Sequence, residues 1–532
     1  MATLTLQSPE LTGIVSATTP VDPASNSGFH FRHTLAREQV PAAAQVFFNA
    51  DFALEHIACV DLRKSDGVLR VAYQFNRFAQ AERHVLHVDL APGETVPSIA
   101  AIYGGANWLE REVYDMHGVL FDGHPDLRRL LLPEDATYFP LLKDFDAETV
   151  ELAPKSAPDE PSPVGETEDR DNYYLNMGPQ HPSMHGVLRI KLHMSGEEIL
   201  DADTIIGYAH RAHEKMAENR DYMQFLPNPS RVDYLSGMIY NLAYCEAVER
   251  MLGIKAPERC EYIRVLVSEL NRISSHLLWL GTFLLDLGGV TPFLYCFDDR
   301  EKILDILDRV TGSRLTYCYG RFGGLTMDVD DEFVAGTRAF CERLRSRLPM
   351  YKSLVEDNII FRERAVGIGV INQRFALTHG VTGPCLRAAG VAYDVRRAEP
   401  YSIYDRFEFE IPTASAGDCL ARYHVRLMEI EQSLRIIDQG LAQLPAGPIE
   451  AEKVPKTIKP PAGEYYFAVE SARGHFGMYI VSDGSAIPVR IKLRTPSFAN
   501  LSTMPEILAG TMVADTIAIV GSIDIVLPEV DR

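Results

Sequence analysis

The stretch YIRVLVSELNRISSHLLWLGTFLLDLGG, residues 262–289, decides the class of fold. Ile263, Leu266, Val267, Leu270, Ile273, Leu277 and Leu278 recur at steps of three and four, the spacing that lines one face of a long α-helix. Similar patterns predict helices near 234–252, 298–310, 331–348 and 418–444. Strands are predicted at 187–194, 465–470, 478–481 and 489–493, so the C-terminal part reads as a mainly helical domain carrying antiparallel sheet at its ends. No internal repeat is visible.

The most apolar run, 277–295, is interrupted by Asp286, Gly288, Gly289 and Pro292. It falls short of the roughly 20 apolar residues a membrane helix needs, and the expectation is a chain that is soluble on its own. No basic-then-apolar leader opens the sequence, and the first arginine is Arg32, which argues against an Arg-rich transit peptide.

Upstream, Leu69, Val71, Tyr73 and Phe75 alternate with Arg70, Ala72 and Gln74, as expected of a half-buried strand. A second strand near 84–90 and a helical stretch over 97–115 complete a small α+β domain. Between the two parts, residues 146–169 hold eight acids against Lys155 alone, with Pro154, Pro158, Pro161 and Pro163 opposing any regular element. This is an extended, solvated tether. The predicted organisation is α+β overall: a domain at 1–145, an acidic Pro-rich linker at 146–170 and the large domain at 171–532.

Of the 532 residues, 46% are hydrophobic and 23% charged, which places the chain among globular rather than disordered proteins. The 52 Lys+Arg against 73 Asp+Glu give a net −21, a third of it from the tether, which argues against nucleic acid as a partner. Eight cysteines lie far apart with no C-x-x-C pair, a spacing that suits reduced thiols in a cytosolic compartment and offers neither a cluster nor a zinc site.

Chemistry-bearing residues concentrate in a few places. In GPQHPSMHGVLR, residues 178–189, Pro182 and Gly186 oppose a helix, so His181 and His185 fall on a turn leading into a strand. They read either as hydrogen-bonded turn histidines or as part of a metal site lacking a third ligand. GYAHRAHEKMAENR (207–220) and SRVDYLS (230–236) crowd His210, Arg211, His213, Asp233 and Tyr234 together, as a solvated face or the lining of a wet cavity. Asp286 ends an otherwise apolar helix, where a carboxylate is either structurally paired or tuned for proton transfer. The terminal GSIDIVLPEVDR, 521–532, is apolar enough to be docked in the core.

These motifs resemble two known families. WLEREVYDMHGVLFDGHPDLRRLLLP, 108–133, resembles the signature of the 30-kDa subunit of respiratory complex I. From Tyr174 to Arg532 the chain resembles the 49-kDa subunit, through GPQHPSMHGVLR, HRAHEK, RVDYLS, SELNRISSHLLWLG, VSDGSAIPVRIKLRTPSFANL and GSIDIVLPEVDR. Nearly the whole chain outside the tether and the first 28 or so residues is covered. The resemblance implies a peripheral-arm subunit of a proton-pumping NADH-quinone oxidoreductase on the cytoplasmic side of a bacterial inner membrane. The chain itself would hold no metal or cluster. Its partners would be other complex I subunits, including a cluster-bearing subunit beside the pocket and the membrane arm, with NAD and iron-sulfur clusters held there.

By the same resemblance the substrate is a quinone, ubiquinone or menaquinone. His185 and Tyr234 would donate to its two carbonyl oxygens, Asp286 would set the charge of His185, and His181, Arg211 and Asp233 would stand nearby. The 49-kDa family is itself related to nickel-iron hydrogenase large subunits, whose fold the large domain is expected to resemble. Hydrogenases hold their metals with R-x-C-G-x-C and D-P-C-x-x-C. Alignment on Arg231 and Asp524 puts Asp233, Ser236, Val526 and Glu529 in the cysteine positions, a poor set for nickel that leaves a cavity for something else. A related complex fed by another donor such as ferredoxin, or an inactive hydrogenase-like scaffold, are the alternatives. Two departures from the family pattern, Ala212 and Pro528 in place of glycines, put the backbone near Arg211 and at the terminal turn in question.

Overall fold

The computed structural model describes residues 11, 13–22, 25–78, 81–148, 172–179 and 186–532. His181, His185 and the tether from residue 149 onward lie outside the described residues.

The N-terminal part is built on a five-stranded sheet in the order Ala17–Pro20, Phe31–Thr34, Arg83–Leu90, Val68–Asn76, Ala53–Leu62. Neighbours are antiparallel except Phe31–Thr34 against Arg83–Leu90. Phe47 and Val113, from the helices Val40–Asn49 and Ala106–His117, share one core with Ile57, Val71, Tyr73 and Val88 of the sheet.

The opposite face is covered as well, and this corrects the half-buried reading of the 69–75 strand. Ala58, Val60, Ala72 and Val85 join the core of the C-terminal body, and Gln74 and Asn76 are fully buried. Their amides donate to Glu55, which pairs with Arg83 at 2.8 Å, and Arg83 reaches Glu399 of the C-terminal body at 2.6 Å. Gln74 and Asn76 therefore face a second protein surface rather than water, while Arg70 stays part-exposed beside Asp89.

The helix expected over 97–115 begins only at Ala106, because Val96–Pro97 is a short strand and Gly105 packs closely on His379, where a Cβ would stand 2.6 Å from the carbonyl oxygen. The charged residues of this helix turn inward. Glu110, Arg111, Glu112 and Asp115 are buried, and Asp115 accepts the N–H groups of Leu130, Leu131 and Leu132 while pairing with Arg129.

In the C-terminal body the long helix runs Glu258–Asp286 and packs between Val290–Thr311 and Cys419–Gln443. It is buried nearly all round, so its charged side chains must be paired. Arg264 meets Glu249 at 2.6 Å, and Glu269 is shared by Arg272 and Arg396 at 3.2 and 3.1 Å. The helix after it starts at Val290, ahead of the expected 298, because Pro292 sits in the first turn, where no N–H is missed. The helix expected at 234 starts at Gly237, which leaves Tyr234 in the preceding turn.

Strands Gly463–Ser471, Gly474–Ser482 and Arg490–Arg494 form one antiparallel sheet, and Asn172–Met177, Arg189–Ser195 and Glu198–Ile205 another. The C-terminus is docked as expected, with Val530, Asp531 and Arg532 buried. Among the described residues no helix is long and apolar enough to cross a membrane.

Candidate functional site

The positions singled out in RVDYLS and at the C-terminus converge on Arg473, a residue the sequence did not single out. Ser471 pairs with Gly474 across a two-residue hairpin, so Ala472 and Arg473 form its tip. The tip reaches inward because two glycines face each other there. Gly474 has φ +128°, and a Cβ on it would stand 2.5 Å from the Gly383 nitrogen.

The buried Arg473 guanidinium donates to Asp233 Oδ2 at 2.8 Å, Ser236 Oγ at 3.0 Å and Ser275 Oγ at 3.1 Å. Asp524 stands 3.8 Å and Glu529 4.0 Å away. The Asp233–Ser236 turn and the sequence-distant Glu529 are thus brought together around a guanidinium. Among the described residues no group of three or more His, Cys, Asp or Glu is arranged to hold a metal ion.

Asp233 ends the short helix Pro229–Val232 and folds the chain back on itself by accepting the N–H groups of Leu235 at 3.0 Å and Ser236 at 3.1 Å. Tyr234 is carried on the tip of that turn, 36% exposed. Burial raises its phenol above the ordinary range and Arg473 opposes the rise, so the hydroxyl keeps its proton at neutral pH and can donate it.

Glu529 stands 4.0 Å from Arg473 Nε. Tyr240 and Ser497 each donate a hydroxyl to one of its oxygens, and Thr495 Oγ1 donates to its carbonyl at 2.9 Å. Burial, with the Asp233 charge next, pushes its carboxyl up to about 7 against the pull of Arg473.

Asp286 is the last residue of the long helix and is exposed, so the burial anticipated for it is absent. Eleven residues separate it from Ser275, roughly 16 Å along the helix axis. The structure therefore sets Asp286 apart from the Arg473 cluster. His181 and His185 fall outside the described residues, but Gly186, next after His185, lies against Leu527, where a Cβ would stand 3.5 Å from the leucine Cβ.

Arg211 is exposed, in a segment clamped by the C-terminus. Asp531 accepts the N–H groups of Gly207 and Ala209 at 2.9 and 2.7 Å, and its carbonyl lies 2.6 Å from His210 Nδ1. Ala212 adopts a left-handed backbone, φ 53° and ψ 41°. Pro528 falls in the first turn of the helix Leu527–Asp531, where proline is accommodated.

Nothing in local sequence marks Arg473, since a charged residue at a hairpin tip ordinarily points to water. The one available signal was the facing glycine pair, which no spacing rule connects.

The family model of the respiratory-chain NADH dehydrogenase 30 Kd subunit matches residues 33–151, and that of the 49 Kd subunit matches 286–459 and 450–532. The D subunit of the NADH-quinone oxidoreductase of Syntrophobacter fumaroxidans is 59% identical over 360 residues, covering 68% of this chain and 96% of that protein. The C/D subunit of the Methylococcus capsulatus NADH-quinone oxidoreductase is 42% identical over 477 residues, 82% of this chain and 81% of that protein. The C/D subunit from Gluconacetobacter diazotrophicus is 41% identical, over 83% and 80% of the two chains. With both family models matched in order and relatives of either kind covered over most of their length, the chain belongs to the C/D-subunit family of NADH-quinone oxidoreductases.

Proposed function

We propose that this chain forms the quinone-reduction pocket of a proton-translocating NADH-quinone oxidoreductase, peripheral to the cytoplasmic face of a bacterial inner membrane. Electrons would arrive from an iron-sulfur cluster in an adjoining subunit, and the membrane arm would couple their transfer to proton translocation. The working division of the chain is 1–145, 146–170 and 171–532, and the two family matches, 33–151 and 286–532, follow one another in that order.

Reduction of a quinone to a quinol takes two electrons and two protons, and each carbonyl oxygen needs a donor. Tyr234 supplies one as a neutral phenol. His185 supplies the other, with Asp286 favouring its charged form and His181, Arg211 and Asp233 lying around the pocket. The observation that carries this reading is the Tyr234 turn itself: a half-exposed phenol anchored by Asp233 on a buried guanidinium, at a position matching the family's quinone ligand.

The test is Tyr234→Phe in the assembled complex. NADH-driven quinone reduction should fall at least tenfold while NADH oxidation by an artificial acceptor that bypasses the pocket persists. Equal quinone reductase rates in variant and wild type would refute the assignment.

A further inference from the structure

Behind Tyr234, three buried carboxyl groups crowd one guanidinium. Asp233 holds the close contact with Arg473 at 2.8 Å, Asp524 stands at 3.8 Å and Glu529 at 4.0 Å. Asp524 sits at the end of the helix Thr516–Ile523, with one oxygen lacking a hydrogen-bond partner among the described residues. It also bears on a second cation, Arg426, which donates to the Ser522 and Ile523 carbonyls. Among the described residues Glu529 has no cation beyond the shared Arg473: its two oxygens meet the hydroxyls of Tyr240 and Ser497. Three buried anions beside one cation are strongly unfavourable, and the carboxyl without a close counter-ion is the one that keeps a proton.

We infer that Glu529 is a proton-holding positioning residue of the quinone pocket, which acts on Tyr234 through Arg473. This rests on the quinone-pocket reading above. When Tyr234 gives its proton to a quinone oxygen, the phenol O–H bond breaks, an O–H bond forms on the quinone, and a phenolate remains beside Arg473. The two electrons would come from the adjoining subunit's cluster, the second proton from His185 at the other oxygen, and solvent would return the proton to the part-exposed phenol. A neutral Glu529 leaves the Arg473 charge to Asp233 and to that phenolate. An ionised Glu529 draws the charge away and makes the phenol a poorer donor.

The groups around Glu529 agree with a titration near neutrality. Asp233 and burial favour its neutral form, while Arg473 and the Tyr240 and Ser497 hydroxyls favour the ionised one. The helix Pro229–Val232 adds Arg231, whose guanidinium turns away to the Pro227 carbonyl and Ser230 Oγ. Pro496–Leu501 contributes the uncharged Ser497. Either hydroxyl can turn to accept the carboxylic proton, so the contacts survive in both states.

The experiment is the pH profile of quinone reduction by the assembled complex between pH 6 and 9, with a short-chain quinone. Wild type should lose activity on the alkaline side, by up to tenfold per pH unit once Glu529 is ionised. Glu529→Gln should flatten that limb. Tyr240→Phe, which removes a hydroxyl that favours the ionised form, should move the limb to higher pH. An unchanged alkaline limb in both variants overturns the inference, as does a limb in Tyr240→Phe that moves to lower pH. Should Tyr234→Phe leave quinone reduction intact, the pocket reading itself falls. Should Tyr234→Phe abolish it while both Glu529→Gln and Tyr240→Phe keep the wild-type profile, only the role of Glu529 is lost.

Discussion

The guanidinium of Arg532, the last residue of the sequence, donates to Glu112 Oε1 at 2.6 Å and ties the C-terminus to the helix Ala106–His117 packed on the N-terminal sheet. Lys492 lies on the same oxygen, Glu214 lies 3.3 Å from Lys492 and 3.4 Å from Arg532, and the Arg532 guanidinium sits 4.3 Å over the Phe498 ring.

Because Glu112 answers two buried cations, its loss leaves more charge uncompensated than the loss of either partner. Glu112→Gln should destabilise the chain by about 3 kcal/mol, the size expected when one member of a buried ion pair is removed. Arg532→Met should cost less, since Lys492 still neutralises Glu112. Denaturant midpoints of the two variants give the order, and a larger loss for Arg532→Met would contradict it.

His56 provides a pH dependence. It is buried on the strand Ala53–Leu62, stacked 5.5 Å from Tyr466, with neither ring nitrogen hydrogen-bonded among the described residues. Burial, opposed by Glu55 and aided by Lys492 and Arg494, lowers it to about 3. An unfolded histidine titrates near 6.5, so between about pH 6.5 and 3 the unfolded chain binds more protons than the folded one. Stability is therefore complete above pH 6.5 and declines as pH falls, by up to about 1.4 kcal/mol per pH unit from this residue. His56→Phe should flatten the decline by that amount in that window. Parallel stability curves for variant and wild type between pH 7 and 5 would refute it.

Ala212 holds a left-handed backbone ahead of the helix His213–Glu218. Relief of that strain is worth about 1–2 kcal/mol, and the added freedom of an unfolded glycine takes back about 0.5–1 kcal/mol. Ala212→Gly should thus stabilise the chain by about 0.5–1 kcal/mol, read as a rise in denaturation midpoint. A drop would show that the conformation is held by something other than the strain of this residue.

What the sequence revealed divides along a physical line. The long helix was legible because its apolar residues repeat over many turns, and its buried Arg264, Glu269 and Arg272 interrupt that repeat only where partners wait. The 69–75 strand is legible from its alternation, but its surroundings are not. Alternation tells apolar from polar, yet Gln74 and Asn76 are polar residues facing Glu55 and Arg83 under a second layer of protein. Tyr234 and Asp233 came from motif resemblance. Arg473 did not, because its burial depends on a glycine pair about ninety residues apart in sequence, and Glu529 entered only as a vacated cysteine position.

The coupling between Asp233 and Glu529 through Arg473 can be measured as a stability cycle. Asp233→Asn removes the close counter-ion of a buried guanidinium, which alone would cost about 3–5 kcal/mol. It also removes the neighbouring charge that, after burial, does most to keep Glu529 protonated, so Glu529 can ionise and take over the guanidinium. The single change should consequently cost less than that range, and its cost should shrink further as pH rises from 6 to 8. Glu529→Gln alone should cost little, because the amide can meet the Tyr240 and Ser497 hydroxyls and Asp233 still holds Arg473. With both changed, Asp524 at 3.8 Å is the carboxylate left beside Arg473. The double variant should exceed the sum of the singles by about 1–2 kcal/mol, as expected for residues in one network. Denaturant midpoints of the four proteins at pH 8 complete the cycle. Additive losses would mean that Glu529 does not answer for Asp233 and that the two carboxyls act on Arg473 independently.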